Sequence, residues 1–334
     1  MTFAFIQQAT QAAAEKTIGA PWQWAAFLGF VAIMLLLDLG VFHRKAHTIR
    51  IREAVAWTIV WIALALVFNA GIWHFYGSKL ALEFLTGYLI EKALSVDNIF
   101  VFIIIFSFFK VTPAYQHRVL FWGILGALVM RGLFIWLGIE ILEHFHWTIY
   151  IFGGFLIFTG IRILMPQNEE VHPERNLGVR LFRWLFRVAP GDHGSKFLVQ
   201  IDGKTFAKSL LMVLFVVEVT YLVFAVDSIP AILAISKHPF IIYTSNIFAI
   251  LGLRALYFVV GGMMDKFHYL KFGLGLILVF IGLKMAAQDL VEEKLGHPIS
   301  PVVSLAVVVV LLVGSIAASL LRPSAPEPPA GTSP

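Results

Sequence analysis

Apolar runs of about 20 residues recur nine times in this 334-residue chain, and about 20 is the number an α-helix needs to cross a ~30 Å hydrocarbon core. They read as spans over residues 22–42, 55–75, 81–109, 118–139, 147–165, 207–235, 240–263, 269–287 and 301–321. Hydrophobic residues make up 59% of the chain and charged residues 13%, too little charge to cover a soluble domain of this length. The fold class that follows is all-α: a polytopic membrane protein of about nine transmembrane helices, with the lipid bilayer as its surroundings. Cysteine is absent, which excludes disulfides, thiolate metal sites and redox thiols.

The net charge of +5 sits mostly in loops and reports orientation rather than nucleic-acid binding. Arg44, Lys45, Arg50 and Arg52 follow the first span, and seven more, from Arg175 to Lys208, lie between the fifth and sixth. The alternate loops carry only Lys79, Lys237 and Lys294. Positive-inside bias predicts the N-terminus outside and the C-terminus cytoplasmic. No basic stretch or cleavage pattern precedes the first span, so it is expected to be retained.

Inside these apolar runs the chain twice writes Val-Asp-polar-Ile: Val96-Asp97-Asn98-Ile99 and Val226-Asp227-Ser228-Ile229. An Asp at mid-membrane costs roughly 2.5–3.5 kcal/mol on insertion scales, so it marks a partner or a wet cavity. Two further matches follow in the same order. Arg131-Gly132-Leu133-Phe134 resembles Arg254-Ala255-Leu256-Tyr257, and Gly153 with Gly160 resembles Gly275 with Gly282, at offsets of 130, 123 and 122 residues. Three spans matching the next three must lie in opposite orientation, the inverted-repeat plan of many secondary transporters.

The expected organisation is an extracytoplasmic segment 1–21, peripheral spans within 22–80, repeat one over 81–165, a cytoplasmic loop 166–206, repeat two over 207–287, a last span 301–321 and a disordered tail 322–334. Within the loop, Arg180, Arg183 and Arg187 alternate with Phe182, Trp184, Leu185 and Phe186, which reads as a basic amphipathic helix on the inner leaflet. Asp202-Gly203 marks a hairpin turn.

Candidate chemistry is carried by hard oxygens. Glu83, Gly87, Glu91, Ser95 and Asn98 form one polar stripe at helical spacing on the third span. Asp97 lies about 120° from Glu91 on an ideal helix. On the sixth span Glu218 and Asp227 point to opposite sides, Thr220 shares a face with Asp227, and Pro230 is expected to break the helix and free the carbonyl of Val226. Asp97, Asp227, Glu91, Glu218, Asn98 and Ser228 are the candidate metal ligands. Asp38, Lys92, Ser95, Arg131, Thr220, Tyr221, Asn246 and Arg254 are candidates for lining the cavity or compensating its charge. Carboxylate, amide and hydroxyl suit Mg²⁺, Ca²⁺ or Mn²⁺. The histidines fall in loops or near span ends, which argues against zinc or copper.

The stretches Leu37-Asp38-Leu39-Gly40, Glu91-Lys92-Ala93-Leu94-Ser95-Val96-Asp97-Asn98-Ile99-Phe100, Phe224-Ala225-Val226-Asp227-Ser228-Ile229-Pro230 and Thr244-Ser245-Asn246-Ile247-Phe248 resemble the TerC family of bacterial integral membrane proteins, in particular its Alx-like members. The resemblance covers about residues 22–320. It implies an inner-membrane protein of a family named for tellurium resistance, and manganese export as its activity. The family pattern has an acid after Glu-x-Thr. Here Glu218-Val219-Thr220 is followed by Tyr221, the counterpart of Glu91, so the site lacks one charge.

Three functions are to be distinguished. The first is export of a divalent cation, Mn²⁺ by the resemblance, through a carboxylate-lined midplane site; proton antiport is one possible driving force. The second is a membrane scaffold or a modulator of tellurite or redox stress without transport of its own. The third is an intramembrane aspartyl protease, which needs two acids sharing a proton and a Gly-x-Gly-Asp that neither aspartate has. The reading is of a transporter, not an enzyme, with no resident cofactor, a metal ion as substrate and no identified protein partner.

Overall fold

The computed structural model describes residues 18–42, 51–145, 147–165, 177–186, 197–201, 204–261, 269–295 and 299–321. Twelve helices are numbered here among them. They are α1 (Pro21–Phe42), α2 (Ile51–Tyr76), α3 (Ser78–Phe108), α4 (Pro113–His144), α5 (Thr148–Leu164), α6 (Leu177–Leu185), α7 (Ser209–Leu233), α8 (Pro239–Leu251), α9 (Leu253–Gly261), α10 (Leu270–Ala286), α11 (Gln288–Leu295) and α12 (Pro301–Leu321). Each expected span coincides with a helix, except that the seventh falls on the bent pair α8 and α9, because in hydrocarbon a backbone satisfies its polar groups only within helices or closed barrels. Four helices begin at a proline, whose missing N–H costs nothing in a first turn.

Length and apolarity alone admit α2, residues 115–144 of α4, α7 and α12 as spans, with α8 and α9 together as a fifth, bent by 44°. The other expected spans fall short for physical reasons. The α5 and α10 helices have 17 residues each, and α3 carries Lys79, Glu83, Glu91, Lys92 and Asp97. On α2 and α12 large apolar side chains such as Val67, Phe75, Val310 and Val313 are exposed, as a lipid-facing surface requires.

Two departures from the expected span pattern stand out. Pro230 does not interrupt the sixth span: it sits in the last turn of α7, which runs on to Leu233, with the amide of Ala234 donating to the Pro230 carbonyl. The break falls instead in the seventh span, at Gly252 between α8 and α9.

The core helices pack in corresponding ways. The closest pairing is α5 with α10, while α4 lies on α7 and α3 on α8 to a similar extent. A Cβ on Gly153 would approach the Gly282 carbonyl oxygen to 2.9 Å, and one on Gly275 would approach that of Gly160 to 2.9 Å. Gly160 against Gly275 and Gly282 against Gly153 give 2.6 Å each. Only glycine lets the two backbones come this close.

Asp202-Gly203 marks a hairpin turn in the sequence, and strands β1 (Leu198–Ile201) and β2 (Lys204–Ala207) pair antiparallel with Ile201 opposite Lys204. The turn residues Asp202 and Gly203 lie outside the described residues, as do the segments 1–17 and 322–334. The α6 helix, expected on the inner leaflet, packs against α7. Phe182 is fully buried, 5.4 Å from the ring of Phe215 on α7, while Trp184 is 80% exposed.

Candidate functional site

The polar stripe on α3 faces α7 and α8. At its N-terminal end the Ser236 hydroxyl donates to Glu83 Oε2 at 2.7 Å. One turn on, Gly87 lets α8 approach, since a Cβ there would stand 3.0 Å from Ser245 Oγ. At the next turn Glu91, 1% exposed, is ion-paired with Arg131 of α4. Glu91 also accepts from Asn246 Nδ2 of α8 at 3.0 Å and from Ser95 Oγ at 3.3 Å. Three helices thus converge on one carboxylate, and its charge is matched by a guanidinium as buried as itself.

The acid on α7, Glu218, has different surroundings. The Glu218 carboxylate lies against Gly126 of α4, filling the space a side chain there would need. Among the described residues it accepts no hydrogen bond and faces no paired cation. One turn further on, Tyr221 is 4% exposed; its ring lies 4.7 Å from Phe102 and beside Gly123, and its hydroxyl has no hydrogen-bond partner. Aligned at the offset of 130, Tyr88 and Glu91 correspond to Glu218 and Tyr221. Each segment therefore carries one acid and one phenol a turn apart, in opposite order.

The remaining candidates divide. Asn98 is buried on the same stripe. The hydroxyls of Thr220 and Ser228 turn back to their own helix, at 2.7 Å from Val216 O and 3.0 Å from Phe224 O. Arg254 Nη1 lies 3.3 Å from His117 Nε2. Lys92 donates to the Ala249 carbonyl at 3.1 Å. The backbones of Asp38, Asp97 and Asp227 are helical, and their side chains lie outside those described. Among the described residues no three acids or histidines cluster closely enough to hold a metal ion.

Sequence reasoning missed Gly126 and Gly252. Gly126 lies inside α4 and Gly252 at the bend between α8 and α9, both in apolar sequence, and their roles depend on a side chain from another helix. Ser236 was missed as well, because it lies beyond the end of α7.

Residues 76–326 match the family described as "Integral membrane protein TerC family". The chain belongs to the TerC family. A relative from Myxococcus xanthus, "Uncharacterized membrane protein STKORF319", is 51% identical over 306 residues, covering 92% of this chain and 94% of its own. A relative from Escherichia coli K12, "Putative membrane-bound redox modulator Alx", is 44% identical over 283 residues, covering 82% and 88%. A Rickettsia felis relative, "Uncharacterized membrane protein", is 40% identical over 299 residues, covering 90% and 97%. No solved structure matches. This TerC protein is a multi-pass integral membrane protein with bacterial relatives, and neither the family description nor these names are those of enzymes.

Proposed function

We propose that this protein exports divalent metal ions, with Mn²⁺ as the expected cargo, by alternating access between two inverted repeats. The observation that carries this reading is Glu218: a carboxylate inside an apolar bundle, seated against a glycine, with no described counter-charge. Such a group is costly in a membrane unless an ion or water meets it. Asp227 lies on the same helix, and Asp97 on the helix of the matched acid Glu91. The repeat itself is supported by the glycine contacts: exchanging 153 with 275 and 160 with 282 turns each close pair into the other, at equal distances. The pairings α4–α7 and α3–α8 exchange in the same way.

The nine-span count and the cytoplasmic placement of the 166–206 loop belong to this proposal. The loop's excess of Lys and Arg supports its placement, and a reporter fused there that proves accessible from outside would invert it.

Mn²⁺ flux into everted vesicles from the wild type, Asp97→Asn and Asp227→Asn tests the function. Each variant should insert normally and lose transport; near-normal flux from either removes the proposal. Competition with Fe²⁺, Co²⁺, Zn²⁺ and Ca²⁺ in the same vesicles fixes the cargo.

A second reading, a scaffold or stress modulator without transport, is favoured by the docked helix α6 and its exposed Trp184. Loss of function on deleting α6, with Asp97→Asn remaining active, would select it.

A further inference from the structure

Where α8 ends and α9 begins, the last carbonyls of α8 have no intrahelical donors and carry the negative end of that helix dipole. The ammonium of Lys92, reaching across from α3, donates to one of them, Ala249 O, at 3.1 Å, and lies 5.9 Å from the centre of the Tyr88 ring. Gly252 at the bend gives it room: a Cβ there would stand 2.9 Å from Lys92 Nζ and 3.0 Å from Trp61 Cβ. Lys92 is therefore a cation set into a broken helix, at the kind of end where unwound carbonyls receive ions in other transporters.

Two further observations mark this contact as more than a helix cap. Asn246 Oδ1 and the Tyr88 hydroxyl, on residues 0% and 3% exposed, have no hydrogen-bond partner. Asn246 lies one turn before Ala249 on α8, and Tyr88 one turn before Lys92 on α3. Buried oxygens are nearly always satisfied, so two orphans, each one turn from a residue that makes this contact, are unusual. The break is also one-sided. Gly252 corresponds to Val129 at the offset of 123, and α4 runs through Val129 without interruption.

We infer that the α8–α9 break is a second cation seat, built from the Ala249 carbonyl with the unsatisfied oxygens of Asn246 and Tyr88 one turn away on α8 and α3, and that Lys92 fills it in this conformation as a tethered competitor. A small hard cation takes the seat when Lys92 withdraws. The ligand class follows from the donors, carbonyl and amide oxygens on a helix's negative end. This inference rests on the cation-transport reading and gives it a gate: the carboxyl end of α8 would face the side from which an exported ion enters.

The experiment is Mn²⁺ binding to the purified full chain in nanodiscs, followed by electron paramagnetic resonance. Wild type, Lys92→Arg, Lys92→Met and Lys92→Gln are compared; glutamine keeps a donor for the Ala249 carbonyl, which preserves the packing should methionine insert poorly. Removing the charge should tighten binding about tenfold or add one bound ion, and Lys92→Arg should match the wild type. Wild-type binding that is unchanged in Lys92→Met and Lys92→Gln overturns the seat while leaving the transport reading standing. An absence of Mn²⁺ binding in all four proteins overturns both.

Discussion

The carboxylate of Glu218 occupies the space that a side chain on Gly126 would need, so one helix presents an acid to the bare backbone of another. The relationship is specific, since the nearest obstacle to a Cβ at 126 is the carboxylate itself rather than backbone or a packed ring. Gly126→Ala should therefore push Glu218 from its place, at a cost of about 1–3 kcal/mol for overpacking. Shortening the acid should undo the damage: the double variant Gly126→Ala/Glu218→Ala should melt above Gly126→Ala alone. Thermal unfolding in detergent reads this coupling, and additive effects would mean the two residues do not share the space.

Glu91 and Arg131 should behave in the opposite way. Removing one member of a buried ion pair strands the other, at about 3–5 kcal/mol. Glu91→Gln should lower stability by that order, and Glu91→Gln/Arg131→Met should recover most of it. A Glu91→Gln protein as stable as the wild type would show that the guanidinium does not depend on this acid.

Tyr221 is buried with its hydroxyl unsatisfied, so Tyr221→Phe should be neutral or stabilising by up to about 1 kcal/mol, because it removes an orphan donor. Tyr221→Asp would instead take the ring away from Phe102 and bury another acid one turn from Glu218. Its yield of inserted protein should fall. If Tyr221→Phe proves clearly destabilising, the hydroxyl has a partner in the working protein.

The α5–α10 crossing offers a test of the repeat. Gly153→Val and Gly275→Val should destabilise to the same degree, and Gly160→Val and Gly282→Val should form a second matched pair with the larger effect, as their approach is 2.6 Å against 2.9 Å. Unequal losses within a pair, measured by thermal unfolding, would count against two-fold equivalence.

Much of this architecture was legible in the chain because a bilayer fixes how long an apolar run must be, and every expected span meets a helix near its predicted ends. The α3 stripe was legible too, since Glu83, Gly87, Glu91 and Ser95 recur at helical spacing and all turn toward α7 and α8. What the chain could not reveal was which charge meets which. Arg131, Lys92 and Arg254 read alike as cations within spans, yet one holds Glu91, one a helix end and one His117. Pro230 misled because the helix tolerates it: the Val226 carbonyl loses its donor, yet α7 runs through the proline to Leu233. The true break, at Gly252, sits in an apolar sequence with no other punctuation.

Helix α6 has a consequence for regulation. Phe182 shares a hydrophobic cluster with Val213, Val216, Val217 and Tyr221, the residues that flank Glu218 along α7. Fully burying such a ring contributes about 1.5–3 kcal/mol, and that energy holds α6 against the helix that bears the acid. A ligand that lifted α6 by its exposed Trp184 face would have to supply this energy, and it would open the packing around the segment of α7 that bears Glu218.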